Sequence, residues 1–163
     1  MGHSITALIV PGVVNADAAA QWDLIPIPLQ CGLTLHHLTH YYTAYWQASL
    51  GITEHVEPSP QPPILFPAEG VVKVIAADLS ARADPTFAVV YTDYHAGVGD
   101  QWAATCIAGG TIRSASNINA ALRMLGITAA PGLDEFDTVG LATHRSTPEY
   151  LDRYIDLCDG LGV

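Results

Sequence analysis

The chain has 163 residues, half of them hydrophobic and 13% charged, a composition able to offset the entropy of ordering a backbone and unlike that of a disordered segment. Sixteen acidic residues against six basic ones give a formal charge of −10. The cations Lys73, Arg82, Arg113, Arg123, Arg145 and Arg153 are scattered, which excludes the clustered basic surface that nucleic-acid binding needs, and the acidity would steer a basic protein partner or a cationic ligand to the surface.

The length suits a single domain over residues 1–163, without metal or disulfide staples. Cys31, Cys106 and Cys158 are odd in number and share no C-x-x-C spacing, so neither a disulfide framework nor a zinc knuckle is indicated, and a reducing cytoplasm fits. The run Ile5–Val14 lacks a basic flank and is broken by Pro11-Gly12, so it does not read as a signal peptide. No apolar run approaches the ~20 residues that span a bilayer, and no membrane association is expected.

In chain order, Ser4–Val10 reads as a strand closed by Pro11-Gly12, followed by a short helix, Ala16–Trp22, capped by Asn15. Leu24–Leu29 has strand-like apolar content, but Pro26 and Pro28 cannot donate to a ladder, so it belongs on a sheet edge or outside the sheet. From Thr34 to Ala48 the spacing of Leu38, Tyr41, Tyr42 and Tyr45 predicts a helix. Residues 57–63 hold four prolines and read as an extended surface loop.

A core-packing helix is predicted over Pro67–Ala81, with Val71, Val74, Ile75 and Leu79 as its stripe. Phe87–Tyr94 reads as a strand covered on both faces, and Trp102–Ala108 pairs with it. Gly109-Gly110 predicts a two-residue turn into a third strand, Thr111–Ser114, completing a β-meander. Ser116 is read as the cap of a helix ending at Gly126, and Ser146–Glu149 as a capping box opening a last helix with Tyr150, Leu151, Tyr154, Ile155 and Cys158 on one face. The predicted fold class is α+β, an antiparallel β-meander packed against several α-helices.

Four ordered landmarks, Thr92–Ala104, Ile118–Ile127, Asp134–Asp137 and His144–Thr147, together with Pro28–Leu35, resemble those of a family of small bacterial proteins of unknown function. The resemblance covers most of the chain apart from the proline-rich middle, and implies no activity, cofactor or catalytic residue. An aromatic residue usually stands in that family where this chain has His95.

Candidate chemistry gathers around Gly97-Val-Gly99. Asp93, His95 and Asp100 flank that turn, and a carboxylate beside an imidazole is what general acid–base catalysis requires near neutral pH. Strand alternation puts Asp93 and His95 on one face, with Gly97, Gly99 and Gln101 as candidate binding residues. The glycines lack the third member and the strand-to-helix context of a dinucleotide fingerprint.

On the predicted helix, His36 and His40 stand four apart, the spacing at which two imidazoles share a metal, although two ligands do not make a site. Tyr41, Tyr45 and Trp46 are candidate binding residues for a pocket or a partner surface, and Asp134, Glu135 and Asp137 ring Phe136 either as a landing site for a basic protein or as an acidic helix start. No nucleophile elbow or activated cysteine is present, and no cofactor is expected.

Two functions follow. The first is a non-enzymatic protein-binding factor of inhibitor, immunity or accessory type, with homodimerisation consistent with the apolar content. The alternative is a small enzyme or small-molecule-binding protein, with its pocket between the glycine loop and the histidine-aromatic helix and an acid–base site at Asp93 and His95.

Overall fold

Alternating apolar residues in β1 (His3–Pro11) bury six consecutive side chains, Ile5–Val10, and this strand sits near the middle of one antiparallel sheet. The computed structural model describes residues 2–55, 67 and 69–163; the proline-rich stretch 57–63, read from sequence as a surface loop, lies outside them. The other strands are β2 (Ile27–Pro28), β3 (Leu33–His37), β4 (Phe87–His95), β5 (Val98–Cys106) and β6 (Arg113–Ala115), in the spatial order β2-β3-β1-β4-β5-β6. β1 pairs with β4 from His3↔Tyr94 to Ile9↔Ala88, and with β3 from Ala7↔His37 to Pro11↔Leu33.

Helices cover both faces. Leu8, Val10, Phe87, Val89, Ala104 and Cys106 point toward α1 (Ala16–Gln21), α2 (His40–Leu50), α3 (Val71–Ser80) and α6 (Arg153–Leu161), where Ala19, Tyr42, Ile75, Leu79 and Tyr154 complete one core. Ile5, Ala7, Ile9, Leu35, Ala88, Val90 and Ala103 point the other way, onto Ile118 and Leu122 of α4 (Ile118–Met124) and Val139 of α5 (Glu135–Val139). Each fully buried Leu, Ile or Phe contributes about 1.5–3 kcal/mol over leaving it in water, so these two layers carry the fold. The architecture is α+β, as the element order predicts. Among the described residues, no helix is long and apolar enough to cross a membrane.

Several local expectations are met. Asn15 caps α1 by accepting from the Asp17 and Ala18 amides, and Ile27–Pro28 forms the edge strand. Gly126, at φ +90°, follows α4 in the left-handed region. Asp152, Asp156 and Asp159 are exposed, as the α6 pattern requires.

Others are corrected. Thr34–Ala48 is not one helix: residues 33–37 are the strand β3, and α2 starts only at His40. Backbone pairing with β1 outcompetes helix propensity there, and Thr39, extended at φ −133°, accepts from the Tyr42 amide and fixes the break. The next helix starts at Val71 rather than Pro67, because the Gly70 amide is held by the Glu54 carbonyl and the Val71 amide by the Gln47 side chain.

β5 starts at Val98, giving a two-residue turn at Ala96-Gly97 with both residues left-handed. The Gly109-Gly110 turn is replaced by a longer connection, 107–112, turning at Ala108-Gly109 and clamped by Lys73 Nζ, which donates to the Gly109 and Gly110 carbonyls at 2.7 and 3.1 Å. Asn117, not Ser116, caps α4, its Oδ1 accepting from the Ala120 amide. A 3-10 turn, Glu149–Asp152, precedes α6 in place of the capping box; Pro148 precedes that turn and has no side chain able to accept a capping bond.

Gly99 stands opposite Tyr94 so closely that a Cβ would land on the Asp93 carbonyl oxygen. Gly99→Ala is expected to destabilise the protein by about 1–3 kcal/mol by forcing that ladder apart, whereas Gly160→Ala, in open space within α6, gains about 0.5–1 kcal/mol; urea unfolding of both variants checks the contrast.

Candidate functional site

Parity along β4 sorts its side chains. Ala88, Val90, Thr92 and Tyr94 share the face covered by α4 and α5, while Val89, Tyr91, Asp93 and His95 share the opposite one. At the His95 end the apolar cover of the first face stops, leaving a cavity of about 370 Å³. The strands supply His3, Thr92, Tyr94 and Gln101, the hairpin turn Gly97, and the helical layer Ile118, Asn119, Asp134, Phe136, Ala142 and Arg145.

Hydrogen bonds fix most of this lining. His3 Nε2 lies 3.0 Å from the Leu141 carbonyl, which can only accept, so Nε2 carries the proton and Nδ1 accepts from the Thr92 hydroxyl at 2.7 Å. The Thr92 oxygen in turn accepts from the Ile5 amide at 3.1 Å. Gln101 donates through Nε2 to the Tyr94 hydroxyl at 2.8 Å and accepts through Oε1 from the Ile118 amide at 2.9 Å.

Asp134 caps α5 through the Asp137 amide, and its other oxygen accepts from Asn119 Nδ2. Asn119 Oδ1 accepts from the Phe136 amide at 2.8 Å. The His3 and Phe136 rings pack at 5.2 Å between centroids. Arg123 and Glu135 join α4 to α5 behind the cavity at 2.9 Å, and that guanidinium holds the Glu135 carboxyl below its usual range.

Of the sequence candidates, Gly97 and Gln101 line this cavity. Gly99 does not; the Asp93 carbonyl beside it is what requires a glycine there. Asp93, His95 and Asp100 are exposed, and Asp93 and His95 do share a face as alternation predicts, with Asp100 directly opposite Asp93. That face is the other side of the sheet, so the expected acid–base group does not look into the cavity. The cavity also lies against α4 and α5, not against the histidine-aromatic α2.

The expected helical pairing of His36 and His40 fails, because His36 is on β3 and His40 opens α2. Among the described residues, no three His, Cys, Asp or Glu side chains converge to hold a metal ion. His36 donates from Nδ1 to the Leu8 carbonyl at 3.3 Å, leaving Nε2 buried without a partner; burial pulls its pKa down to about 4. His37, one residue on and facing the opposite core, is likewise pulled to about 4 by burial and by neighbouring His144. Burial lowers His40 as well.

Tyr41 remains 37% exposed and stacks on His40, with ring centroids 4.0 Å apart. Tyr45 and Trp46 are half-buried and join Trp22, Tyr42 and Tyr154 in an edge-to-face cluster, with centroids 5.1 Å apart for Trp22–Trp46 and 5.4 Å for Tyr45–Tyr154. These rings dock α6 onto α2. The Tyr154 hydroxyl adds a bond to Asp23, and Arg153 pairs with the same carboxylate.

Sequence reasoning missed His3, Asn119 and Arg145 as lining groups. His3 carried no signal, lying at a strand start, and becomes legible only once β1 is placed beside β4. Asn119 and Arg145 lie within landmark segments already singled out, and all four of those segments, Thr92–Ala104, Ile118–Ile127, Asp134–Asp137 and His144–Thr147, contribute side chains to this one cavity. No family model, no curated protein and no solved structure matches the chain, so the site is read from its own geometry.

His36 and His37 also set a pH dependence. Unfolded imidazoles titrate near 6.5 and these folded ones near 4, so the unfolded state binds more protons between those values. Stability is therefore full above pH 6.5 and falls toward pH 4, by at most on the order of 3 kcal/mol per imidazole. Urea midpoints measured from pH 7 to pH 4.5 should fall accordingly, with a shallower slope in His36→Leu.

Proposed function

We propose that the protein binds a small molecule in the cavity between the β4–β5 hairpin and the α4–α5 layer. The convergence of four separate sequence segments on that one concavity carries the reading. Its size suits a small organic ligand, and its lining joins an apolar floor of Ile118, Phe136 and Ala142 to a few fixed polar groups, the usual constitution of a ligand site.

Among the described residues, the nucleophile-and-base geometry at the cavity is Thr92 beside His3. That hydroxyl is 2% exposed, donates to His3 and already accepts from the Ile5 amide, so it serves as an internal tie. Binding is accordingly favoured over turnover. The protein-partner reading draws support from the acidic composition alone, since Tyr45 and Trp46 are committed to packing α2 against α6.

Titration of the ¹⁵N-labelled protein with the neutral probes phenol, indole and phenylacetamide is expected to shift the amides of Gly97, Asn119 and Phe136. Ala142→Phe, which fills the cavity, should abolish those shifts with the fold intact, and Asp93→Asn with His95→Ala should leave them unchanged. Shifts confined to other surfaces, or lost in the Asp93 and His95 variants, would sink the assignment.

A further inference from the structure

We infer that the ligand is a small monoanion, a carboxylate carried on an apolar or aromatic body, held by Arg145 and the Tyr94 hydroxyl. This inference rests on the cavity being a ligand site.

Most polar side chains of the lining are tied to one another or to the backbone, and two donors have no partner among the described residues. His3 uses both ring nitrogens, and Gln101 uses both ends of its amide. Asp134, the one carboxylate in the lining, has each oxygen engaged by an N–H, from Asp137 and from Asn119. Asn119 Oδ1 is taken by the Phe136 amide.

Two groups remain. Tyr94 accepts from Gln101 at its oxygen, so its own O–H hydrogen has no acceptor assigned and is available for donation. Arg145, the one cation in the lining, makes no side-chain hydrogen bond or ion pair with any described residue. Arg123 and Arg153 are neutralised by Glu135 and Asp23, and Lys73 is spent on two carbonyls; Arg82 and Arg113, like Arg145, have no side-chain partner among the described residues but lie outside the lining.

The root of Arg145 is fixed even though its side chain is free. Its carbonyl accepts from the Ser4 amide at 2.9 Å, and Ser146 bridges Ser4, so the residue is anchored to the start of β1 at the cavity mouth. An unpaired guanidinium with fixed backbone and a phenolic donor favour an anion, the opposing charge being the Asp134 carboxylate, which two N–H groups partly offset. A single guanidinium within a chain of net charge −10 favours one negative charge over two, and so a carboxylate over a phosphate monoester. The rings of Phe136 and His3 and the Ile118 side chain give the rest of the ligand an apolar seat.

The test compares three probes of one shape, phenylacetate, phenylacetamide and phenethylamine, by amide-shift titration of wild type, Arg145→Gln and Tyr94→Phe. In wild type, phenylacetate is expected to bind about tenfold more tightly than phenylacetamide, with phenethylamine weakest, and added salt should narrow the gap. Arg145→Gln should bring phenylacetate down to the level of the amide without weakening the amide, and Tyr94→Phe should take part of the preference. Arg145 is exposed, so its replacement leaves the fold intact, which the same spectra verify. Equal affinity of phenylacetate and phenylacetamide in the cavity overturns the anion assignment while the cavity reading stands. If neither probe moves the amides of Gly97, Asn119 and Phe136, the cavity reading fails and this inference with it.

Discussion

Everything about the site depends on the two-residue repeat of β4. A central strand covered on both faces must spend its side chains alternately on two cores, and β4 does so from Phe87 to Tyr91. Where the strand runs past its helical cover the alternation continues with polar residues, sending Thr92 and Tyr94 to one side and Asp93 and His95 to the other. A slip of one residue against β1 would exchange those two sets, and the seven-residue register from His3↔Tyr94 to Ile9↔Ala88 prevents it.

Polar side chains in this protein are occupied mainly with the backbone. Asn15, Thr39, Asn117 and Asp134 each accept from the first turn of a helix, and Gln47 satisfies both the Glu54 carbonyl and the Val71 amide. Gln101 does the same between the sheet and α4, and Asn119 between α4 and α5. Such bonds are each worth about 1 kcal/mol net, but leaving a buried amide unmet costs more, so these residues are held in place by the fold. Arg145, without a side-chain partner among the described residues, is the cation that lies in the cavity lining.

Much of the architecture was legible because the signals were local. Asn15, Pro28, Gly126 and the two-sided apolar content of Phe87–Tyr94 each gave the right element for a physical reason. The failures were competitions decided at a distance. The spacing of Leu38, Tyr41, Tyr42 and Tyr45 carries no information on Thr34–His37, whose backbone is claimed by β1, and it crosses a boundary fixed by Thr39. At the site, Asp93 and His95 share a face as alternation predicts, and two of the candidate binding residues, Gly97 and Gln101, line the cavity. What the pattern could not say was which helices cover which face: α2 and α6 lie on one side, α4 and α5 on the other, and the cavity lies against the second pair. His3 and Arg145 reach it from opposite ends of the chain, a meeting that no single window contains.

The borders of the sheet have a further consequence. β2 spans two residues, one of them Pro28 with no N–H to offer, and β6 spans three. The long strands, β1, β4 and β5, are all interior in the strand order. β6 pairs only with Ala103–Thr105, so the outer margin of β5 from Val98 to Trp102 has no strand partner among the described residues, the kind of margin at which an antiparallel sheet can be extended. A neighbouring copy that extended the sheet there would meet those five residues, where the exposed Asp100 carboxylate charges the margin against a like copy.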